Sequence, residues 1–388
     1  MNIGYFWTDI ATTVAQIPEA DRFGIPGNVN LINFLLVLTF GLHFIFMNLT
    51  VGGVFVNVLS HIMGKDENNM FYKLKQIMPT INGVTLSFTI TFGIAPLLFI
   101  QVIYGHLFYT VTILMAYIYV TFFIVLLIPY IFLYSQKLLK KYFNSNILTI
   151  FGVISIIALL FVMLVFVAVS MAMLHPEQWM FMHEEMKGFA FIVSDKSFIH
   201  RYHYMIFSSI IGGGILVMLI GWFKSFKDND ENYLKFQTFG GKIVVIFSVF
   251  QIIFGYLTYK SLDILIKYDF NLYTRVGGYV FMISVFLTLI SAVLLIIFKK
   301  KFLTIITTLL YVLSVYGFAV FRDGLRHTYL RPYFKPFNKD VLTQSPDYGS
   351  MIFFFIVFVL GLFVLGYMIK IAITLKPLTT EENPLEKV

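Results

Sequence analysis

Residues 147–174 read ILTIFGVISIIALLFVMLVFVAVSMAML, an uninterrupted apolar run with no charge and no proline. A bilayer core of about 30 Å needs roughly 20 apolar residues in a helix, so this run spans a membrane with residues to spare. Similar runs occur near 31–62, 82–105, 107–136, 203–223, 241–259, 278–298, 303–321 and 351–375. The second and third are separated only by residues 104–106, so the expected count is nine, with eight if that break is a false one. Apolar residues make up 59% and charged residues 12% of the chain, against about 45–50% and 25% in soluble proteins. The chain is therefore expected to be an all-α polytopic membrane bundle of about nine transmembrane helices. Residues 1–30 form an interfacial N-terminal segment, 31–376 a single helical domain, and 377–388 a cytoplasmic tail. The N-terminal segment carries Asp9, Glu19 and Asp21 and no basic start before an apolar stretch. It is read as an interfacial helix ending near Pro26 and Gly27, not as a cleaved signal. The absence of cysteine from the sequence excludes thiolate metal sites, iron–sulfur ligation and covalently attached haem in this chain.

Lysine sets the orientation. With nine spans, one set of connections holds Lys65, Lys73, Lys75, Lys137, Lys140, Lys141, Lys224, Lys227, Lys235, Lys242 and the run Lys299, Lys300 and Lys301. The positive-inside tendency makes that side cytoplasmic and leaves the N-terminus outside. The net charge of +8 is distributed over such loops and is not the footprint of a nucleic-acid binder. Every arginine falls on the other side: Arg22, Arg201, Arg275, Arg322, Arg326 and Arg331. Arginine's planar fork grips carboxylates in pairs of hydrogen bonds. That suits haem propionates or quinone headgroups at Arg201 and Arg275, the alternative being helix-end anchors.

Histidine follows arginine. His43, His106, His175, His183, His200, His203 and His327 fall toward the arginine side, and only His61 toward the lysine side. Intramembrane histidine is uncommon and faces bundle interiors, and neutral imidazole is a frequent haem ligand. His43 sits in residues 40–53, FGLHFIFMNLTVGG, whose small and polar residues permit close packing. His203 opens a span in residues 201–214, RYHYMIFSSIIGGG, whose glycines admit a flat macrocycle or a neighbouring helix. Each has a plainer reading, as a histidine bonded to a helix carbonyl or part of an interfacial cluster.

The order of these segments resembles subunit I of the cytochrome bd quinol oxidase superfamily across about residues 30–370. In that family a histidine of the first span binds an active-site haem, as His43 would. The stretch 171–180, MAMLHPEQWM, followed by His203, is similar to a turn leading to the histidine that ligates a low-spin b haem. Residues 274–278, TRVGG, look like the start of its seventh span, and 322–330, RDGLRHTYL, like a polar outer loop of divergent members. Four departures stand out. The sequence has no Asp or Glu between Glu67 and Glu177, where the oxidases carry glutamates. The late spans also read as carboxylate-free. The quinol-binding loop is reduced to about residues 260–277, and Gly277 stands where a methionine ligand is expected, with Met282 the nearest substitute.

The resemblance therefore implies a divergent bd-like membrane cytochrome b, in a prokaryotic cytoplasmic membrane, that does not reduce oxygen. It would carry haem b, one or more, with His203 and His43 as iron ligands. His106 and Met282 are further candidates, and Arg201 and Arg275 partners of propionate or quinone. It would exchange electrons between quinone or quinol in the lipid and a multihaem cytochrome c or iron–sulfur subunit on the outer face. The loop after residue 321, with basic and aromatic residues interleaved, is the expected docking surface. The competing readings are a haem-free quinol-docking anchor and a transporter, the latter suggested by Pro96, Pro129 and the glycine run.

Overall fold

A computed structural model describes residues 17–139, 142–184, 189, 196–227, 231–338, 343–344 and scattered positions between 348 and 367. Long helices account for almost all of it. They are α1 Val29–Met63, α2 Met70–Leu114, α3 Ala116–Leu138 and α4 Ser145–Leu174. A turn of 3-10 helix, Pro176–Gln178, and the short α5, Trp179–Glu184, lead to α6, Lys196–Lys227, and α7, Glu231–Ser261. The short α8, Ile264–Tyr268, precedes α9, Leu272–Phe298, and α10, Phe302–Leu330. Among the described residues eight helices are long and apolar enough to cross a membrane. The ninth expected run is helical at its described positions between 352 and 367, and its remaining positions lie outside the described residues.

Asparagines start the spans. The side chains of Asn28, Asn69, Asn144 and Asn271 each accept hydrogen bonds from the first turn of α1, α2, α4 and α9. These satisfy amide donors that a helix cannot bond internally. Connections of a few residues then force neighbouring spans to run antiparallel. Most of the lysines collect at one end of the bundle, and the arginines with every histidine except His61 collect at the other.

Helix α1 is the hub, packed against α2, α4, α6 and α10. Its Gly52 lies on the backbone of α6 at Ser209 and Gly213, so closely that neither glycine has room for a Cβ. Gly214 meets Gly240 of α7 in the same way. The glycine run of α6 thus serves helix–helix contact on two sides, not a flat macrocycle. Lipid offers apolar side chains as good a home as a neighbouring helix does. Such backbone approaches and buried polar pairs therefore hold membrane bundles together. The pairs here are Asn48 Nδ2 to Ser208 Oγ at 3.1 Å, Asn57 Nδ2 to Gln136 Oε1 at 2.8 Å, and Ser291 with Thr307 at 2.8 Å.

Three expectations are corrected. Residues 17–28 form a turn and a two-residue strand, Ile25–Pro26, paired with Thr343–Gln344, not the end of a helix. Gly24 and Gly27 take φ of 78° and 93° there, a left-handed conformation that breaks helices. The second and third spans divide at Met115, not at residues 104–106. At Tyr104 (φ −122°, ψ 30°) α2 only kinks. Finally, residues 322–330 are not an outer loop. They are the last turns of α10, which carries a buried carboxylate, Asp323, into a late span.

Candidate functional site

The kink of α2 and the extension of α10 frame a cavity of about 520 Å³ at the arginine end. Its walls come from α1, α2, α3, α4, α6, α7, α9 and α10, and they are chiefly Phe, Leu, Ile, Val and Met side chains. Ile94 of α2 and Phe123 of α3 both line it and are exposed on the outside of the bundle, so its mouth faces where lipid would lie. Past the kink, Phe108 forms part of the wall, and Tyr104 and His106 pack edge-on against Phe334.

His43 stands on this wall. Its Nδ1 lies 2.9 Å from the Thr89 carbonyl oxygen. A carbonyl only accepts, so Nδ1 carries the proton and Nε2 is left basic and able to bind a metal. Gly93 makes room for the ring: a Cβ there would sit 2.9 Å from its Cε1 and Nδ1. Arg201, Arg322 and Arg326 line the same cavity. Arg322 donates to the neutral Ser170 hydroxyl at 2.9 Å and lies 4.4 Å over the Phe40 ring. Arg326 donates to Asp323 Oδ1 at 2.9 Å, with both side chains buried. Among the described residues no carboxylate bonds Arg322, and a half-buried cation on an apolar cavity favours an anionic ligand.

The other expected residues are placed apart from the cavity wall. His203 lies on a different face of α6 from Arg201, Tyr204 and Met205. It stacks on Phe254 of α7 at 5.0 Å, with Nδ1 donating to the Ile199 carbonyl at 2.8 Å. Its tautomer therefore matches that of His43, although it looks elsewhere. His106 is half-buried against Phe334. Met282 and Arg275 are exposed on α9. Of the expected docking surface, Arg326 is buried, Arg322 is half-buried against the cavity, and Arg331 is bonded twice to Asp269, at 2.7 and 2.9 Å. Tyr333 and Phe334 pack onto the core. That segment covers the end of its own bundle.

Sequence reasoning missed Asp323. It accepts from Asn33 at 2.8 Å, Tyr273 at 3.2 Å and Arg326 at 2.9 Å, and His327 Nε2 lies 3.5 Å away. The spacing of Asp323, Arg326 and His327, three and four residues apart, is that of one helix face, and it was the available signal.

The chain is an all-α polytopic membrane protein with a bd-oxidase-like fold. The structure of bd oxidase from Geobacillus thermodenitrificans matches it with a TM-score of 0.67 and 14% sequence identity, over 89% of this chain and 97% of that one. No protein-family model and no curated protein sequence matches the chain.

Proposed function

We propose that this chain is a bd-like membrane cytochrome b subunit, exchanging electrons between membrane quinone or quinol and a redox partner beyond the arginine end. The observation that carries this reading is His43, held in the metal-binding tautomer on an apolar cavity headed by Arg322. Haem b, when bound, supplies a reversible one-electron carrier. The protein's part is to offer His43 Nε2 to the iron and place Arg201 and Arg322 where carboxylates of the macrocycle would be neutralised. Its apolar walls exclude water. His203, with the same tautomer, is the proposed ligand of a second haem on the α6–α7 face. Met282 and Arg275 are exposed on α9 and His106 packs against Phe334, so none of the three is proposed as a partner of His43 or His203. The arginine end is taken as the outer face of a prokaryotic cytoplasmic membrane, by the lysine bias. The partner there is proposed to be a multihaem cytochrome c or an iron–sulfur protein, because this chain has no cysteine to carry either centre. Terminal oxygen reduction is not part of the proposal, since the sequence from Asn68 to Pro176 contains no carboxylate to relay protons.

Redox difference spectra with pyridine haemochrome quantitation on purified protein test this. His43→Ala and His203→Ala should each remove a distinct b-type signal while the protein remains in the membrane. Reduced quinol should drive only background uptake at an oxygen electrode. A purified protein without a Soret band would overturn the reading in favour of a haem-free anchor or a transporter.

A further inference from the structure

A second pocket, of about 340 Å³, lies on the opposite face of α10 from the cavity. Helices α1 and α9 both pack on α10 and leave a cleft between them, with Tyr316 and Val320 of α10 as its floor. Phe34 of α1 is 59% and Tyr273 of α9 38% exposed, so the cleft opens sideways, toward lipid. Its polarity changes along its length. Asn30 and Asn33 line it in the first turns of α1, and Val37 and Leu38 line it further in.

Depth gives that gradient a meaning. A helix of 35 residues is about 52 Å long and overreaches a hydrocarbon core of about 30 Å at both ends. With α1 centred in the bilayer, Asn33 stands about 20 Å from the midplane, in the interfacial layer, and Leu38 about 12 Å, inside the hydrocarbon. Water does not fill an apolar cleft that opens to lipid at that depth, and a void there forfeits dispersion contacts along both walls. A hydrocarbon chain suits it. The groups at the outer end select what that chain is attached to. Asn33 gives one Nδ2 hydrogen to Asp323 at 2.8 Å and keeps the second. The Asn30 side chain makes no hydrogen bond among the described residues, whereas the Tyr273 hydroxyl is committed to Asp323 at 3.2 Å. Uncommitted amide hydrogens thus stand in the interfacial layer, and an ester carbonyl, which only accepts, complements them.

We propose that this cleft binds one glycerophospholipid of the surrounding membrane. An acyl chain lies between Phe34 and Tyr273 on the α10 floor, and its ester carbonyl accepts from Asn33 Nδ2 and the Asn30 amide. The lipid supplies the packing that α1 and α9 do not give each other, and so joins the helix that carries His43 to the late spans. The proposal is independent of the electron-transfer reading, because neither asparagine lines the His43 cavity.

The test reconstitutes the full chain in vesicles of palmitoyl-oleoyl phosphatidylglycerol, extracts it in detergent, and counts retained lipid by native mass spectrometry. The unaltered chain should retain one phospholipid more than Val37→Trp, a change at a residue that lines the cleft but not the His43 cavity. Phe34→Ala, at a side chain too exposed to hold the core, should lower retention as well. Ile290→Trp, on the exposed face of α9 away from the cleft, should change nothing. In vesicles of the dialkyl ether analogue, whose chains carry no carbonyl, retention at this site should fall about fivefold, the worth of one net hydrogen bond. Equal lipid counts in the unaltered chain and both cleft variants would overturn the proposal, as would equal retention of ester and ether lipids. Protein purified directly from membranes should carry a phospholipid mass that disappears in Val37→Trp. A quinone mass disappearing in its place would also overturn the assignment.

Discussion

Replacing Asp323 with leucine should destabilise the protein by about 3–5 kcal/mol, the usual cost of stranding one partner of a buried pair. The size follows from what the carboxylate holds. Arg326 and Asp323 have side chains only 4% and 3% exposed and meet at 2.9 Å. Without the carboxylate, Arg326 keeps a buried charge in the neighbourhood of Arg322 and Arg201. Asn33 and Tyr273 also lose their acceptor, at roughly 1 kcal/mol each. Asp323→Asn, which retains volume and one acceptor, should fall between the leucine variant and the original. The decisive comparison is the double variant Asp323→Leu with Arg326→Met. It removes both charges and should recover most of the loss, since well-packed apolar replacements of buried pairs are often neutral. Unfolding in mixed micelles with increasing dodecyl sulfate, followed by circular dichroism, measures all three. A single variant within about 1 kcal/mol of the original, or a double variant no better than the single, would refute the view that Asp323 is Arg326's counter-ion.

The α4–α5 turn and the segment after α10 are tied through Glu177, which bonds His175 at 2.8 Å and Tyr333 at 2.9 Å. Burial pushes the Glu177 carboxyl up, but the hydrogen bond and charge of His175, with the bond from Tyr333, outweigh it and hold it below the ordinary range. A depressed folded-state pKa stabilises above the unfolded value of about 4.3 and is lost as pH falls through the folded one. Protection in residues 331–338, the exchange rate relative to the intrinsic amide rate at each pH, should therefore be lost only below about pH 4; a loss near pH 6 would contradict the assignment. Gly213→Ala should destabilise by about 1–3 kcal/mol or more, because its Cβ would meet the backbone of Gly52; a neutral thermal shift would show that α1 and α6 can part without penalty.

The helical spans were legible because apolar length needs no knowledge of partners. Residues 147–174 announce a span wherever they pack. Sidedness of the histidines and arginines was legible for the same reason, since it follows from counting alternate connections and requires no contact to be known. The ends of spans were less so. Residues 322–330 look like a loop when charge is counted, yet a helix end can bury charges if they pair, and Asp323 with Arg326 does so three residues apart. His43 and Arg201 were expected at a site and line the cavity. His203 was expected beside Arg201, but residues two apart on a helix face different directions, and it faces Phe254 instead. Asn33 and Gly93 carried no signal. Their roles arise from Asp323 and His43, on helices distant in sequence or on the next span.

The cavity's mouth between Ile94 and Phe123 has a consequence for how loading should be measured. Whatever fills such a space arrives from the hydrocarbon phase, so its effective concentration is set by partitioning between water and bilayer. Two compounds with the same intrinsic fit would differ in apparent affinity by the ratio of their partition coefficients. Diluting the protein with extra lipid at constant total ligand would empty the cavity, because a strongly partitioned ligand is spread over more bilayer and its mole fraction there falls. Occupancy is then a property of mole fraction in the membrane, and titrations are comparable only when expressed on that scale.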